Sequence, residues 1–148
     1  MRTILRPLLV APAAALGAAA AFTLPVHAER PSAQPVAQVQ SASDFEAVQR
    51  HVDAYRSGDI DQFVATFSPD AVVRADGFVA MGRAQIRALY ELNFEPGAPQ
   101  LRIHESYQSD GKIVLRIGYV MPDGQEFCCS VSEYEVTDGK VSALRTGT

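Results

Sequence analysis

From Ser43 onward, apolar residues return at the spacing of a helix. Phe45, Val48, Val52 and Tyr55 fall on one face of it. Ser43-Asp44-Phe45-Glu46 has the form S-x-x-E, in which serine and glutamate satisfy each other's end-of-helix amides, so the helix is predicted to start there. Gly58 stops it, and Asp59 caps a shorter second helix carrying Ile60, Phe63, Val64 and Phe67, closed by Ser68-Pro69-Asp70. Two short strands are predicted at 71–75 and 78–81 around Asp76-Gly77. A third helix spans 83–94, with Ile86, Leu89 and Tyr90 on one side. Strands follow at 101–108, 112–121, 125–136 and 141–145. They are separated by Asp110-Gly111, Asp123-Gly124 and Asp138-Gly139, pairs that suit hairpin turns because both residues tolerate positive φ. Helices first and a four-stranded meander afterwards give an α+β domain, with the helices gathered on one face of the sheet.

The first thirty residues follow a different grammar. Arg2 and Arg6 precede an apolar run from Leu8 to Phe22, and Leu24-Pro25-Val26-His27-Ala28 ends in a small-residue cleavage pattern. Residues 1–28 therefore read as a secretory signal cut after Ala28. Pro7, Pro12 and Pro25 break the run that a membrane-spanning helix would need. An exported protein, periplasmic or secreted, is expected, with no membrane attachment once the signal is removed. Residues 29–42, with two prolines, three glutamines and no apolar period, read as a disordered linker. The folded domain is expected at 43–148.

Without Arg2 and Arg6 the chain carries 11 basic and 17 acidic residues, a net charge of −6. That balance lacks the basic footprint of a nucleic-acid binder or of a protein held on an anionic membrane. Small molecules and other proteins are the expected partners. The two cysteines, Cys128 and Cys129, are adjacent on a strand, where neighbours point to opposite faces; two free thiols are expected. No metal-ligand spacing accompanies them, since His51 and His104 are far apart in the chain. No nucleophile elbow, phosphate loop or dinucleotide fingerprint is present, and no cofactor is expected.

Four segments carry a family resemblance: Val48-Gln49-Arg50-His51-Val52, Ser57-Gly58-Asp59-Ile60-Asp61, Phe67-Ser68-Pro69-Asp70-Ala71-Val72, and Gly82 through Tyr90 (GRAQIRALY). With the order of elements, they make residues 43–148 similar to the nuclear transport factor 2-like superfamily, which includes SnoaL-like polyketide cyclases and ketosteroid isomerases. The resemblance implies a strongly curved sheet wrapped around the helices as a cone, with a mostly apolar cavity at its open end. Such scaffolds host many reactions and many non-enzymes. Steroid isomerisation needs a carboxylate base and an oxyanion hole of tyrosine and protonated aspartic acid. The matching positions hold Ala75 (with Asp76 next to it), His51 and Ser132, so that chemistry is not implied.

His51 and Asp76 are the candidate catalytic residues. A histidine with an ordinary pKa of about 6.5 serves as acid or base near neutral pH; a buried, hydrogen-bonded ring is the plainer reading. Asp76 is a turn residue that caps amides or a carboxylate at a pocket mouth. A ligand pocket is expected from His51 and Tyr55 on one helical face, Ser132 and Tyr134 on one sheet face, and Tyr90, with Asp76 near the mouth. On the strand 125–136, Cys128, Ser130, Ser132 and Tyr134 are expected on the concave face. Phe127, Cys129, Val131 and Glu133 are expected outside, as an apolar stripe for a homodimer. Two functions follow from these features: a pocket for a small apolar molecule or a dimerisation module, or a cofactor-free enzyme doing acid–base chemistry on an apolar cyclic substrate.

Overall fold

The computed structural model of the protein describes residues 36–147; the signal segment and the first part of the linker lie outside the described residues. The elements are α1 (Val36–Arg56), α2 (Ile60–Ala65), β1 (Phe67–Ala75), β2 (Phe78–Met81), α3 (Gly82–Tyr90) with a 3-10 turn at Glu91–Phe94, β3 (Gln100–Ser109), β4 (Lys112–Val120), β5 (Glu126–Thr137) and β6 (Lys140–Gly147). One six-stranded sheet runs in the order β2-β1-β6-β5-β4-β3. All neighbours are antiparallel except β1 and β6, which are parallel. The helices pack against the sheet around Phe63, Phe67, Ile86, Ile113 and Ile117, each at most 2% exposed.

The turn chemistry explains the connections. Asp76-Gly77, Asp110-Gly111 and Asp138-Gly139 all have positive φ at both residues, which suits two-residue hairpin turns. The fourth pair behaves differently. Gly124 N donates to Met121 O at 2.9 Å, a turn with Pro122 pre-setting the chain, and only the glycine has positive φ. Asp59 caps α2 by accepting from the amides of Asp61 and Gln62 at 2.9 and 3.0 Å.

Three boundaries differ from the sequence reading. Helix α1 begins at Val36, so the last seven residues of the expected linker are helical. Ser43 does not cap: its hydroxyl turns back to donate to Gln40 O at 2.7 Å, as serine does inside a helix. Gln40 Nε2 also bonds Asp44 Oδ1 at 2.9 Å, one turn on, and supports the extension. Phe67 opens β1 instead of closing α2, because Thr66 ends that helix by donating its hydroxyl to Phe63 O. Ser68-Pro69-Asp70 then sits in the irregular stretch of β1 between its pairings at Phe67 and Val72, where a proline interrupts no regular ladder. The third helix tightens to 3-10 after Tyr90.

His51 is at the centre of this packing, only 3% exposed. Phe63, Phe67 and Tyr134 surround its ring at centroid distances of 4.7, 4.8 and 5.4 Å. Among the described residues its polar partner is Thr66 Oγ1, 2.8 Å from Nδ1. The threonine's single proton goes to Phe63 O at 2.6 Å, so its oxygen accepts and His51 Nδ1 carries the hydrogen. Burial without an acid partner disfavours the imidazolium and lowers the pKa from 6.5 to about 3.

A pH dependence follows. In the unfolded chain His51 takes up a proton below its ordinary pKa, while the folded protein refuses it until about pH 3. Its contribution to stability is complete above about pH 6.5 and falls as the pH drops, by at most about 1.4 kcal/mol per pH unit. Urea unfolding at pH 7, 6, 5 and 4 should show this slope, and His51→Gln should flatten it; an unchanged slope in the variant would contradict the assignment.

Candidate functional site

Five residues singled out from the sequence, His51, Tyr55, Tyr90, Ser132 and Tyr134, line one inner cavity between α1 and the sheet. Its volume is about 20 Å³. One water molecule fills such a space and a ligand does not. Ser132 Oγ is already used, donating to Thr146 Oγ1 at 2.9 Å, and the Tyr55 hydroxyl accepts from Asn93 Nδ2 at 3.2 Å. Burial pushes the Tyr55, Tyr90 and Tyr134 phenols above their ordinary values, so all three are neutral at neutral pH.

Above this floor opens a chamber of about 550 Å³, a volume typical of small-molecule sites. Tyr90, Tyr119 and Thr146 line both spaces and divide them. Leu89, Phe78 and Phe127 supply apolar wall to the chamber, and Asp76, Asn93 and Ser130 supply polar groups. Tyr119 is also raised in pKa, chiefly by burial. Ser130 lies close enough to favour the Tyr119 phenolate slightly, yet its own buried Oγ completes no hydrogen bond among the described residues. An unmatched hydroxyl in a chamber wall is a ready partner for a ligand's polar atom.

The two candidate catalytic residues are not brought together. His51 lines the inner cavity and Asp76 the chamber. A neutral, buried imidazole hydrogen-bonded to a threonine cannot exchange protons with a carboxylate in another compartment. Asp76 stands at the β1–β2 turn with φ 44°, and on its other side is an outer groove of about 630 Å³. That groove includes Val79, Val131, Arg74, Arg145 and Glu133.

Strand β5 departs from strict alternation. Ile117 pairs with Ser130 and Gly118 with Cys128, so Cys129 is an extra residue, a bulge. Phe127, Cys128, Cys129 and Ser130 consequently all line the chamber, and the expected outward stripe of Phe127, Cys129 and Val131 is broken. The cysteines are joined to each other, not free, with Cα atoms 3.0 Å apart. The expectation of opposed thiols assumed a regular strand, which the bulge removes. Ser130, expected on the concave face, does line the chamber, whereas sequence reasoning missed Asn93 and Tyr119. Tyr119 lies on β4 beside the β5 bulge, and only the position of that bulge shows which way it faces.

The geometry has many counterparts. Among curated proteins, none matches the chain. Among solved structures, a candidate polyketide cyclase from Sinorhizobium meliloti is similar at TM-score 0.61 and 22% identity, over 69% of this chain and 94% of that one. A protein with a ketosteroid isomerase-like fold from Catenulispora acidiphila, in complex with trimethylamine, is similar at TM-score 0.59 and 13% identity, covering 70% of this chain and 85% of that one. TerC co-crystallised with polyporic acid is similar at TM-score 0.60 and 18% identity, covering 71% and 90%. At these identities the likeness shows the fold: helices packed against a curved six-stranded sheet, as in nuclear transport factor 2-like cones. Residues 48–144 match the SnoaL-like domain, and the chain belongs to that family.

Proposed function

We propose that this protein is an exported, non-catalytic binding domain whose chamber takes one small, mainly apolar molecule with a hydrogen-bonding edge. The observation that carries this reading is the separation of a water-sized inner cavity from an open chamber of about 550 Å³. Apolar walls from Leu89, Phe78 and Phe127 supply affinity, while Asn93, Ser130 and the neutral Tyr119 hydroxyl orient the guest. The acid–base alternative requires His51 and Asp76 to act as a pair, and they face different spaces. Two of the similar folds hold small organic molecules, which agrees with a binding role. Export rests on the signal pattern of residues 1–28. Among the described residues, no helix is long and apolar enough to cross a membrane.

Association as a homodimer is the second part of the proposal, favoured by one surface. Val79 and Val131, 56% and 44% exposed, share the outer groove with Arg74, Arg145 and Glu133. Apolar residues beside charges of both signs suit a two-fold contact, in which each copy offers the same patch to the other.

Two measurements test these readings. The neutral fluorophore N-phenyl-1-naphthylamine should bind saturably, once per chain. Phe127→Ala should weaken it about tenfold, a change of about 1.4 kcal/mol expected for losing part of a buried aromatic contact. Ser132→Ala, in the inner cavity, should leave it unchanged. Absence of saturable binding, or an equal loss in both variants, would contradict the chamber assignment. For association, light scattering should give a dimer for the wild type and a monomer for Val131→Asp; a monomeric wild type would contradict the dimer.

A further inference from the structure

Two bulges meet across β4. In β3, Ile103 pairs with Ile117 and Glu105 with Arg116, which makes His104 an extra residue. In β5, Cys129 is the extra residue opposite the next step, Ile117–Gly118. A bulge re-aims its side chain, and these two adjoin Ile117 on the strand between them, next to Gly118. A Cβ on Gly118 would stand 2.9 Å from His104 Nε2, besides colliding with the Glu126 carboxylate. The glycine therefore keeps open the space that these side chains occupy. His104, Cys128 and Cys129 place one nitrogen and two sulfurs all within 4.8 Å of one another. His104 Nε2 meets Glu126 Oε1 at 2.5 Å, and Arg102 holds the other carboxylate oxygen at 2.6 Å.

We propose that the reduced Cys128-Cys129 pair and His104 form a site for a thiophilic divalent metal ion such as Zn²⁺, with Glu126 as the carboxylate that fixes the imidazole. Zinc holds such ligands at about 2.0–2.3 Å in a tetrahedron, so their donor atoms sit roughly 3.5 Å apart. The two sulfurs, bonded to each other here, must part to about that distance on reduction, while the imidazole nitrogen already lies within 4.8 Å of both, and His104 and Cys128 are exposed. Two thiolates and an imidazole select zinc-like ions over magnesium or calcium. A metal-bound histidine usually gives its other ring nitrogen to a carboxylate, and the Arg102–Glu126–His104 chain supplies one.

The site exists only after the disulfide is opened. A phosphine reductant donates the electron pair, takes oxygen from water to become its oxide, and leaves two thiols. Zinc then displaces the two thiol protons to form two zinc–sulfur bonds. Metal binding is thus gated by the redox state of the pair.

The test uses the full chain, before and after treatment with a phosphine that is removed before titration. Reduced protein should bind one Zn²⁺ per chain, and Co²⁺ in its place should show thiolate charge-transfer absorption. Oxidised protein should show neither. Cys129→Ser should abolish the absorption, and His104→Ala and Glu126→Gln should each weaken Zn²⁺ by about tenfold or more. His104 is on the surface, so its loss spares the core. Equal zinc binding by oxidised and reduced protein, or a cobalt spectrum and affinity untouched by His104→Ala, would overturn the site.

Discussion

The hydrogen bond from His51 Nδ1 to Thr66 Oγ1, inside a cage of Phe63, Phe67 and Tyr134, is the contact on which the rest of the domain depends. It ties α1 to the junction of α2 and β1. Thr66 in turn receives Val141 N on its carbonyl, which brings β6 alongside β1 in parallel. Because the threonine can only accept from it, the imidazole is fixed in one tautomer and kept neutral. The same burial that makes this histidine a packing element removes it from acid–base work. One placement therefore accounts for both the register of the helices on the sheet and the chemical quiet of the cavity floor.

Function then shifts outward along the cone. The inner cavity is too small for a guest, while the chamber above has the volume, the apolar wall and the unmatched Ser130 hydroxyl. Its shape owes much to local irregularity. The bulge at Cys129 turns four consecutive residues of β5 toward the chamber, and the bulge at His104 answers it across Ile117. Regular strands at this level would have left a shallower mouth and kept the imidazole away from the sulfurs.

Much of this was legible in the sequence because the signals were local. Periodicity located α1, α2 and α3, and three Asp-Gly pairs specified turns with positive φ at both positions. Spacing alone put His51 with Tyr55 and Ser132 with Tyr134 on facing surfaces, and the structure has all four around one space. How small that space is depends on how closely α1 approaches the sheet, which no periodicity encodes. The start of α1 was misplaced because Ser43 has two ways to satisfy its hydroxyl and the sequence does not rank them. The bulges were invisible for a similar reason: each is defined by a partner strand, so alternation read along β5 alone assigns Phe127 and Cys129 to the wrong side. His104 and the cysteines are 24 residues apart at the nearest, and only the β3-β4-β5 order makes them neighbours.

The most direct test of the central claim is an NMR titration of the His51 imidazole in the folded protein. A ring held neutral by burial should keep constant chemical shifts from pH 8 down to about pH 4, with the nitrogen shifts of a fixed Nδ1–H tautomer. Titration with a midpoint between about 6 and 7 would place His51 in contact with solvent or an acid, and would contradict the account of both the core and the site.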